Sequence, residues 1–177
     1  PELQFSLLSL TSEQIIDGVS RNQLDLGICY LHHVDSQLFN VQWLPVTRMG
    51  LLHDRRHFQF AAGIPDGERL AALPLGFLTK GMYYRESIEM SFKGKGLTPK
   101  YVFESDSTFQ IIQAVQAGIC CAIMPLNNGL EALSDNLEII PIAETAVDSM
   151  LALIMRNQEP VSSLAEKCFA DAQAIFG

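Results

Sequence analysis

The chain lacks the features that mark nucleic-acid binding and nucleotide chemistry. It has 12 Lys and Arg against 20 Asp and Glu, a formal net charge of -8, and no window concentrates basic residues enough to neutralise a row of phosphates. It contains no G-x-x-x-x-G-K-[ST], G-x-G-x-x-G or G-x-S-x-G pattern. We therefore expect this polypeptide by itself neither to grip DNA or RNA nor to carry phosphate-loop, dinucleotide or serine-hydrolase chemistry.

Long apolar runs are also missing. The first residues, PELQFSL, contain no basic stretch followed by an apolar one, which is the pattern of a secretory signal. No apolar run approaches the roughly 18 residues that a membrane helix needs. The chain is therefore expected to be soluble and cytoplasmic, without membrane contact.

Cysteine and metal-ligand patterns are sparse. The four cysteines are too few for a disulfide scaffold, and three of them stand inside apolar runs, so buried thiols are favoured over redox sensing. The four cysteines are Cys29, Cys120, Cys121 and Cys168. His53 and His57 stand four residues apart, but HDRRH is typical of a polar turn, and no carboxylate or thiolate completes a set of ligands. We expect no metal and no cofactor.

What the chain does contain is strand and helix patterns in alternation. With 48% hydrophobic residues it can bury a sizeable core. The first such unit has a strand-like run at residues 3–8, a helical pattern in TSEQIIDGVSRN and a second strand-like run in LDLGICYL. The same order recurs later in the chain: a strand at Val102 and Phe103, a helix in FQIIQAVQAG that stops at Gly118, and a strand in ICCAIMP. The residues that match at an offset of 96 are Gln14, Ile15, Ile16 and Val19 with Gln110, Ile111, Ile112 and Val115.

The remaining pattern completes an α/β architecture. Strands are expected at residues 44–46, 50–53, 74–79, 137–142 and 150–155, and helices at 67–74, 85–96 and 160–176. This alternation predicts parallel or mixed sheets covered by helices on both faces. Two lobes are expected, the first from residues 1–70 plus 147–177 and the second from residues 71–146.

Small polar residues cluster at the start of two predicted helices. Thr11 with Gln14, and Ser107 with Gln110, have the spacing of a capping box. One hydroxyl suffices for a cap, which leaves a surplus in Ser9, Ser12, Ser105 and Thr108. Hydroxyls beside a helix N-terminus suit a small anion, typically a carboxylate.

A second group of candidates follows the strand PLGFL. Thr79 and Lys80 could contact the same ligand, whereas Arg85 is expected to pair with Glu89 on the surface rather than with a ligand. Tyr30 and His32, at the end of a buried strand, are expected to point toward the same cleft, although Tyr30 could instead be a core residue with a wet hydroxyl. No catalytic acid and base pair is evident, so binding without turnover is favoured.

Two stretches resemble a known family. QLDLGI at residues 23–28 and AVQAGICCAIMP at 114–125 resemble the effector-binding domain of LysR-type transcriptional regulators, and the order of elements is similar along the whole chain. The resemblance implies a periplasmic-binding-protein-like fold of two Rossmann-like lobes joined by two crossover strands, with an effector in the cleft. Cys120 departs from the family, whose members often have a second glycine there.

The resemblance also implies positions for the site. It places effector contacts at Thr11, Ser12 and Tyr30 in one lobe, and at Ser105 to Phe109 and Pro125 in the other. Together with the candidates above, the predicted contacts are Thr11, Ser12, Tyr30, Thr79, Lys80, Ser105, Ser107, Thr108, Phe109 and Pro125.

The resemblance implies a sensor rather than an enzyme. A small, carboxylate-bearing effector would bind between the lobes of a homodimer or tetramer and modulate DNA binding and transcription. Pro1 aligns with the middle of the family domain's first βα unit, so that the first strand and the DNA-binding winged helix-turn-helix are expected to be absent from this chain. Alternatives are the solute-binding protein of a transporter and a small enzyme on a binding-protein-like fold.

Overall fold

The chain folds into two compact units. The computed structural model describes residues 4–31, 37–45, 48–60, 66–126, 129–142 and 151–176. The first unit consists of Pro1–Val46 and Met150–Gly177, and the second of Thr47–Ser149. Among the helices of the described ranges, none combines the length and the apolar character that a membrane span requires.

The first unit is a three-stranded sheet with a helix on each face. Its strand order is β1-β8-β2, and β8 pairs antiparallel with both neighbours. Its elements are α1 (Ser12–Ser20), β1 (Leu26–Tyr30), β2 (Phe39–Trp43), β8 (Leu151–Arg156) and α5 (Ser163–Phe176). The expected strand at residues 44–46 thus lies earlier, at β2, and Val46 falls outside the described residues.

Alternation along β8 explains why both faces of this sheet are covered. Ala152 and Ile154 pack with Val19 of α1 in one apolar cluster, whereas Leu153 and Met155 pack with α5 in another. Successive side chains of a strand point to opposite faces, so a central strand that is apolar from Leu151 to Met155 needs a helix on each side.

The expected strand at the start of the chain does not form. Residues 4–10 have no strand structure, and Phe5 and Leu7 are exposed. No strand of the described ranges pairs with this segment, and an unpaired extended segment has no ladder of hydrogen bonds to stabilise it. The predicted first strand-helix-strand unit is therefore reduced to α1 and β1, and its sheet is antiparallel in the described part.

The second unit is a five-stranded mixed sheet of order β5-β4-β6-β3-β7. Strand β4 pairs parallel with both of its neighbours, β5 and β6, while β3 pairs antiparallel with β6 and β7. The elements are β3 (Met49–Asp54), α2 (Gly67–Ala72), β4 (Pro74–Leu78), α3 (Tyr83–Gly94), β5 (Lys100–Ser105), α4 (Thr108–Gln116), β6 (Cys121–Pro125), a 3-10 helix (Leu130–Leu133) and β7 (Leu137–Pro141). The parallel crossover predicted from residues 102–125 is confirmed.

Both faces of the second sheet are also covered by helices. Leu70 of α2 and Ile88 of α3 pack with Leu51 and Leu75 on one face. The apolar side of α4 packs with Leu52 and Ala122 on the other face. Neighbouring strand residues such as Leu51 and Leu52 therefore enter different cores, as a sheet buried on both sides requires.

The division of the chain differs from the expected lobes. Residues 47–70 lie with the second unit, although the pattern of the sequence placed them in the first. The cause is β3, which forms ladders with β6 and β7, and Leu70, which packs in the core of the second sheet. A short apolar strand does not show in its sequence which of two sheets it will join.

The turn HDRRH secures the end of α4. The buried Asp54 carboxylate accepts hydrogen bonds from Arg56 N (2.9 Å) and Arg56 Nη2 (2.7 Å), and Arg56 Nη2 also donates to the Gln116 carbonyl (3.2 Å). These side-chain hydrogen bonds hold the pKa of Asp54 below its ordinary value, although burial opposes them. Gly118, at φ +73°, ends α4 as predicted, and a Cβ there would lie 2.5 Å from His57 Cγ.

Three of the four cysteines are buried, as expected from their apolar context, whereas Cys168 is partly exposed. Cys29, Cys120 and Cys121 are buried, and all four cysteines are free. Burial raises the pKa of the Cys29 and Cys120 thiols to about 11 and that of Cys121 to about 12. Since the thiolate is the reactive form, these three side chains are unreactive packing groups at neutral pH.

The position of Cys120 depends on a glycine in the neighbouring strand. A Cβ at Gly76 would lie 2.7 Å from Cys120 Sγ, closer than two such atoms can approach. We expect Gly76→Ala to destabilise the chain by about 1–3 kcal/mol through overpacking, and much of this loss to disappear in Gly76→Ala/Cys120→Ala. Urea denaturation of the two single variants and the double variant measures the coupling.

Gly94→Ala provides the matched control for this cycle, because a Cβ at Gly94 would meet no atom within 4 Å. Alanine at this helical position is expected to cost nothing or to stabilise slightly. Strictly additive free energies for Gly76→Ala and Cys120→Ala would contradict the proposed steric contact.

A buried histidine is expected to make the second unit sensitive to acid. His53 is 2% exposed; its Nδ1–H donates to the Phe58 carbonyl (3.1 Å), and its Nε2 has no hydrogen-bond partner in the described residues. Burial lowers the pKa of His53, and the Glu138 carboxylate, whose Oε2 lies 3.7 Å from Nε2, only partly opposes this shift. The imidazole is therefore neutral in the folded chain at pH 7.

The sign of the resulting pH dependence follows from this lowered pKa. Below about pH 6.5 the unfolded His53 binds a proton that the folded His53 does not, so stability should fall by up to about 1.4 kcal/mol per pH unit as the pH decreases toward the folded-state pKa. Urea midpoints between pH 7 and pH 5 measure this slope. In His53→Leu the stability should change little over this pH range. In Glu138→Gln the slope should be the same as in the wild type and should continue to lower pH. Equal slopes in the wild type and His53→Leu would show that His53 is not the group responsible.

Candidate functional site

The candidate residues of the first unit gather where α1 begins and β1 ends. Thr11 and Gln14 form the predicted capping box, in which Thr11 Oγ1 accepts from Gln14 N (3.2 Å) and Gln14 Oε1 accepts from Thr11 N (2.9 Å). Ser12 Oγ accepts from Tyr30 N (3.2 Å). The structure thus brings Thr11, Ser12 and Tyr30 together, while His32 lies outside the described residues.

These hydrogen bonds change the role of the hydroxyls in the first unit. Thr11 is used for the helix cap, as expected, but Ser12 was predicted to be surplus and is instead the acceptor that ties β1 to the start of α1. Ser9 is exposed. The side-chain oxygens of Thr11 and Ser12 can still accept or donate further bonds, since a hydroxyl has one donor and two acceptor positions.

In the second unit, the candidates follow the carboxyl ends of three neighbouring strands. Because β5, β4 and β6 run parallel, Ser105, Thr79 and Pro125 stand at the same edge of the sheet. Thr79 N donates to the Ser105 carbonyl (3.0 Å), which continues the ladder one bond beyond Leu78. This edge is where ligands bind in open α/β sheets.

The start of α4 corrects one prediction. Ser107 is the N-cap by position, but its side chain makes no capping hydrogen bond, so the predicted capping box of Ser107 and Gln110 does not form. Instead Ser105 Oγ, which is buried, accepts from Ser107 N (3.0 Å) and donates to Gln110 Oε1 (2.6 Å). The roles of Ser105 and Ser107 are therefore exchanged: Ser105 stabilises the turn, and Ser107 presents a hydroxyl that the cap does not use.

The physical reason for this exchange is the geometry of the residues between β5 and α4. Ser105 still belongs to β5, and the chain turns at Asp106. A serine two residues before an amide can accept from it in an ST-type turn, and Ser105 is placed to do so while its hydroxyl hydrogen reaches Gln110. Spacing alone does not distinguish the i to i+3 cap from this arrangement.

The first turn of α4 is otherwise open. Thr108 and Phe109 are exposed, Phe109 to 64%, and Lys80 is exposed on the loop after β4. A helix N-terminus without a capping side chain leaves backbone N–H groups that favour an anion. The second unit therefore combines the hydroxyls of Ser107 and Thr108, backbone donors and one ammonium group near the ends of the parallel strands.

Arg85 differs most from its expected role. It pairs with Glu89 as predicted, with Nε 2.8 Å from Oε1, but it is 3% exposed rather than on the surface. Its guanidinium also donates to Glu104 and lies 5.3 Å from the centroid of the Tyr101 ring. Arg85 is therefore occupied within the protein and is not a direct ligand contact.

The groups around Arg85 influence one another. Burial raises the pKa of Tyr101 to about 12, with a further contribution from Glu89. For Glu89, burial raises the pKa, but hydrogen bonds from Arg85 and Tyr101 outweigh it and lower the pKa overall. The carboxylate thus stays ionised beside the guanidinium. Neither Glu104 nor Tyr101 was singled out from the sequence. Strand alternation would place residues three apart on opposite faces, and the register shift between β4 and β5 after Leu75 leaves no sign in the sequence.

Metal coordination has no support in the described part of the chain. There, no group of three or more His, Cys, Asp or Glu side chains is arranged to hold an ion. The site's chemistry is that of hydroxyls, backbone amides and one ammonium group, which suits reversible binding of a small anion.

Known proteins provide a context for this geometry. The family model described as LysR substrate binding domain matches residues 1–174. An uncharacterized HTH-type transcriptional regulator of Bacillus subtilis, YusT, is 23% identical over 175 residues, which are 97% of this chain and 56% of that protein. The chain thus spans little more than half the length of this curated relative.

Solved structures show the same fold. The regulatory domain of Synechocystis PCC6803 CcmR in complex with 2-PG aligns at a TM-score of 0.77 and 17% identity, covering 94% of this chain and 80% of that chain. The effector-binding domain of QuiR in complex with shikimate aligns at a TM-score of 0.72 and 21% identity, covering 94% and 78%. At these identities the likeness concerns the fold.

The exchange of roles between two serines can be tested directly. We expect Ser105→Ala to lower the free energy of unfolding by about 1–2 kcal/mol, since Ser107 N loses its acceptor and Gln110 its donor. Ser107→Ala serves as the matched control and should change stability by about 0.5 kcal/mol or less. Urea denaturation of both variants measures the difference. A larger loss of stability in Ser107→Ala than in Ser105→Ala would show that Ser107 caps α4, as its spacing from Gln110 predicted.

Proposed function

Because the chain belongs to the LysR substrate-binding domain family, we propose that it is the ligand-sensing part of a LysR-type transcriptional regulator. It binds a small, carboxylate-bearing effector and thereby modulates DNA binding and transcription. The DNA contact is made through a helix-turn-helix domain outside these 177 residues, and the regulator acts in the cytoplasm as a homodimer or tetramer.

The observation that carries this proposal is the edge of the second sheet. Three parallel strands end there, and the first turn of α4 follows with the Ser107 and Thr108 hydroxyls outside the cap. A carboxylate can accept hydrogen bonds from hydroxyls and from free backbone N–H groups, and the helix dipole favours its charge. Lys80, exposed on the loop after β4, adds a positive charge.

The effector contacts that we propose for the second unit are Thr79, Lys80, Ser105, Ser107, Thr108, Phe109 and Pro125. Within this set Ser105 contributes mainly by shaping the turn, since its hydroxyl already bonds Ser107 N and Gln110 Oε1. Phe109, with 64% of its surface exposed, offers an apolar contact to the carbon skeleton of the effector. Thr11, Ser12 and Tyr30 are the proposed contacts of the first unit.

The relatives support the chemical class of the effector. The QuiR domain was solved with shikimate, which carries a carboxylate, and the CcmR domain with 2-PG. We infer that this chain binds an anion of comparable size without converting it, because its polar candidate residues at the edge of the sheet are donors of hydrogen bonds and include no acid and base pair.

Calorimetric titration of the chain with a panel of organic acids that includes shikimate and 2-PG tests the proposal. For an acid that binds, Thr108→Val should weaken the affinity by about tenfold, the usual consequence of losing one hydrogen bond to a charged group. Its stability in urea should remain close to that of the wild type, because the Thr108 side chain is exposed.

Thr98→Val is the matched control. Thr98 is an exposed threonine that precedes the opposite, amino end of β5, about 20 Å from the proposed contacts for a strand of this length. This variant should bind as the wild type does. A complete lack of binding across the panel, or an equal loss in Thr98→Val and Thr108→Val, would contradict the proposed site.

A further inference from the structure

Arg85 contacts the residue that precedes each of two proposed effector contacts. Its Nη1 donates to the carbonyl of Leu78 (2.9 Å), the last residue of β4, and to the carboxylate of Glu104, the penultimate residue of β5. Thr79 follows Leu78, and Ser105 follows Glu104. One buried side chain of α3 therefore connects the ends of both strands immediately before they reach the site.

From this arrangement we propose that Arg85 is a positioning residue for the effector site of the second unit. It holds the carboxyl ends of β4 and β5 in register, so that Thr79 and Ser105 are presented together. The inference rests on the proposed function for the identity of the site, but the connection between the strands exists without any ligand.

The chemistry of arginine suits this role. The planar guanidinium has donors in fixed directions, and here they meet a carbonyl and two carboxylates, of Glu89 and Glu104. The guanidinium carbon also lies 5.3 Å from the centroid of the Tyr101 ring, within the range of a cation–π contact. Lysine would retain the charge, but it is a point charge that cannot satisfy this set of directions at once.

The bond most dependent on Arg85 is the last one of the ladder. Thr79 N donates to the Ser105 carbonyl (3.0 Å), one residue beyond the final paired residues of β4 and β5. Terminal bonds of a sheet open locally at a smaller free energy than central ones. A brace on both strand ends should therefore slow the opening of this bond more than that of any bond in the middle of β4.

Amide hydrogen exchange of the 177-residue chain, followed by NMR without effector, tests the proposal. In Arg85→Lys, the Thr79 N–H should exchange at least about tenfold faster than in the wild type, because a hydrogen bond to a charged group is lost. Amides in the centre of β4 should keep their rates. Unchanged exchange at Thr79 would overturn the proposal, and so would an equal acceleration of Thr79 and the centre of β4, which indicates general destabilisation.

Two further variants make this result specific. Arg21→Lys is the matched control, since Arg21 forms an exposed i,i+4 pair with Asp17 (2.9 Å) in the first unit, and it should leave Thr79 exchange unchanged. Glu104→Gln keeps the shape of the acceptor and weakens only the link to β5. It should accelerate Thr79 exchange in the same direction but less, and it decides the question if Arg85→Lys does not fold.

The proposed function is tested separately from this brace. Calorimetric titration of the wild type and Arg85→Lys with shikimate, 2-PG and inorganic phosphate shows whether the site takes anions. Failure of all three to bind the wild type would contradict an anion site, while the exchange rates would still decide whether Arg85 positions the strand ends. Where a probe binds, a loss of affinity in Arg85→Lys, but not in Arg21→Lys, is the expected outcome.

Discussion

The parallel pairing of β4 with both of its neighbours is the constraint on which the second unit depends. Parallel neighbours require crossover connections, and here α4 joins β5 to β6 across one face of β4. The same pairing places the carboxyl ends of β5, β4 and β6 at one edge. Two contacts of β4 support this pairing. The absence of a side chain at Gly76 allows the Cys120 thiol to lie close to β4, and the hydrogen bond from Arg85 to the Leu78 carbonyl holds α3 against the end of β4.

A hydroxyl that already completes the fold contributes less to a ligand than one that does not. Ser12 and Ser105 hold the junctions of strand and helix in their units, so their oxygens have fixed positions and partly used capacity. Thr108 is exposed and outside the cap. Sites are most precise when contact groups are supported by neighbours that are themselves held by hydrogen bonds, and Ser105 supports Ser107 in this sense.

Much of this arrangement could be predicted from the sequence, because it depends on local rules. The 3.6-residue period placed α1, α3, α4 and α5, Gly118 marked the end of α4, and Thr11 with Gln14 marked the cap of α1. The order of strand and helix also predicted that the candidate residues after β4, β5 and β6 meet at one edge of the sheet.

The parts that were missed depend on contacts between distant residues. The pattern of residues 3–8 is that of a strand, yet residues 4–10 form none, because pairing decides strand formation and no described strand lies beside them. The sheet that β3 joins, and the burial of Arg85 between Glu89 and Glu104, are likewise set by partners far along the chain. At Ser105 and Ser107 two local motifs compete, and only the course of the chain at Asp106 decides between them.

The charge of the chain sharpens the case for a locally built anion site. A net charge of -8 repels an anionic effector at a distance, but screening limits this repulsion to roughly 10 Å at 0.1 M ionic strength. Attraction must then come from groups that act at contact, which are hydroxyls, backbone N–H groups, the N-terminus of a helix and the ammonium group of Lys80. Arg85 cannot provide it, since its charge is already balanced by two carboxylates. In this acidic chain its role is consistent with holding the hydroxyl and backbone donors in place, and the proposed binding should therefore depend on the geometry of the strand ends.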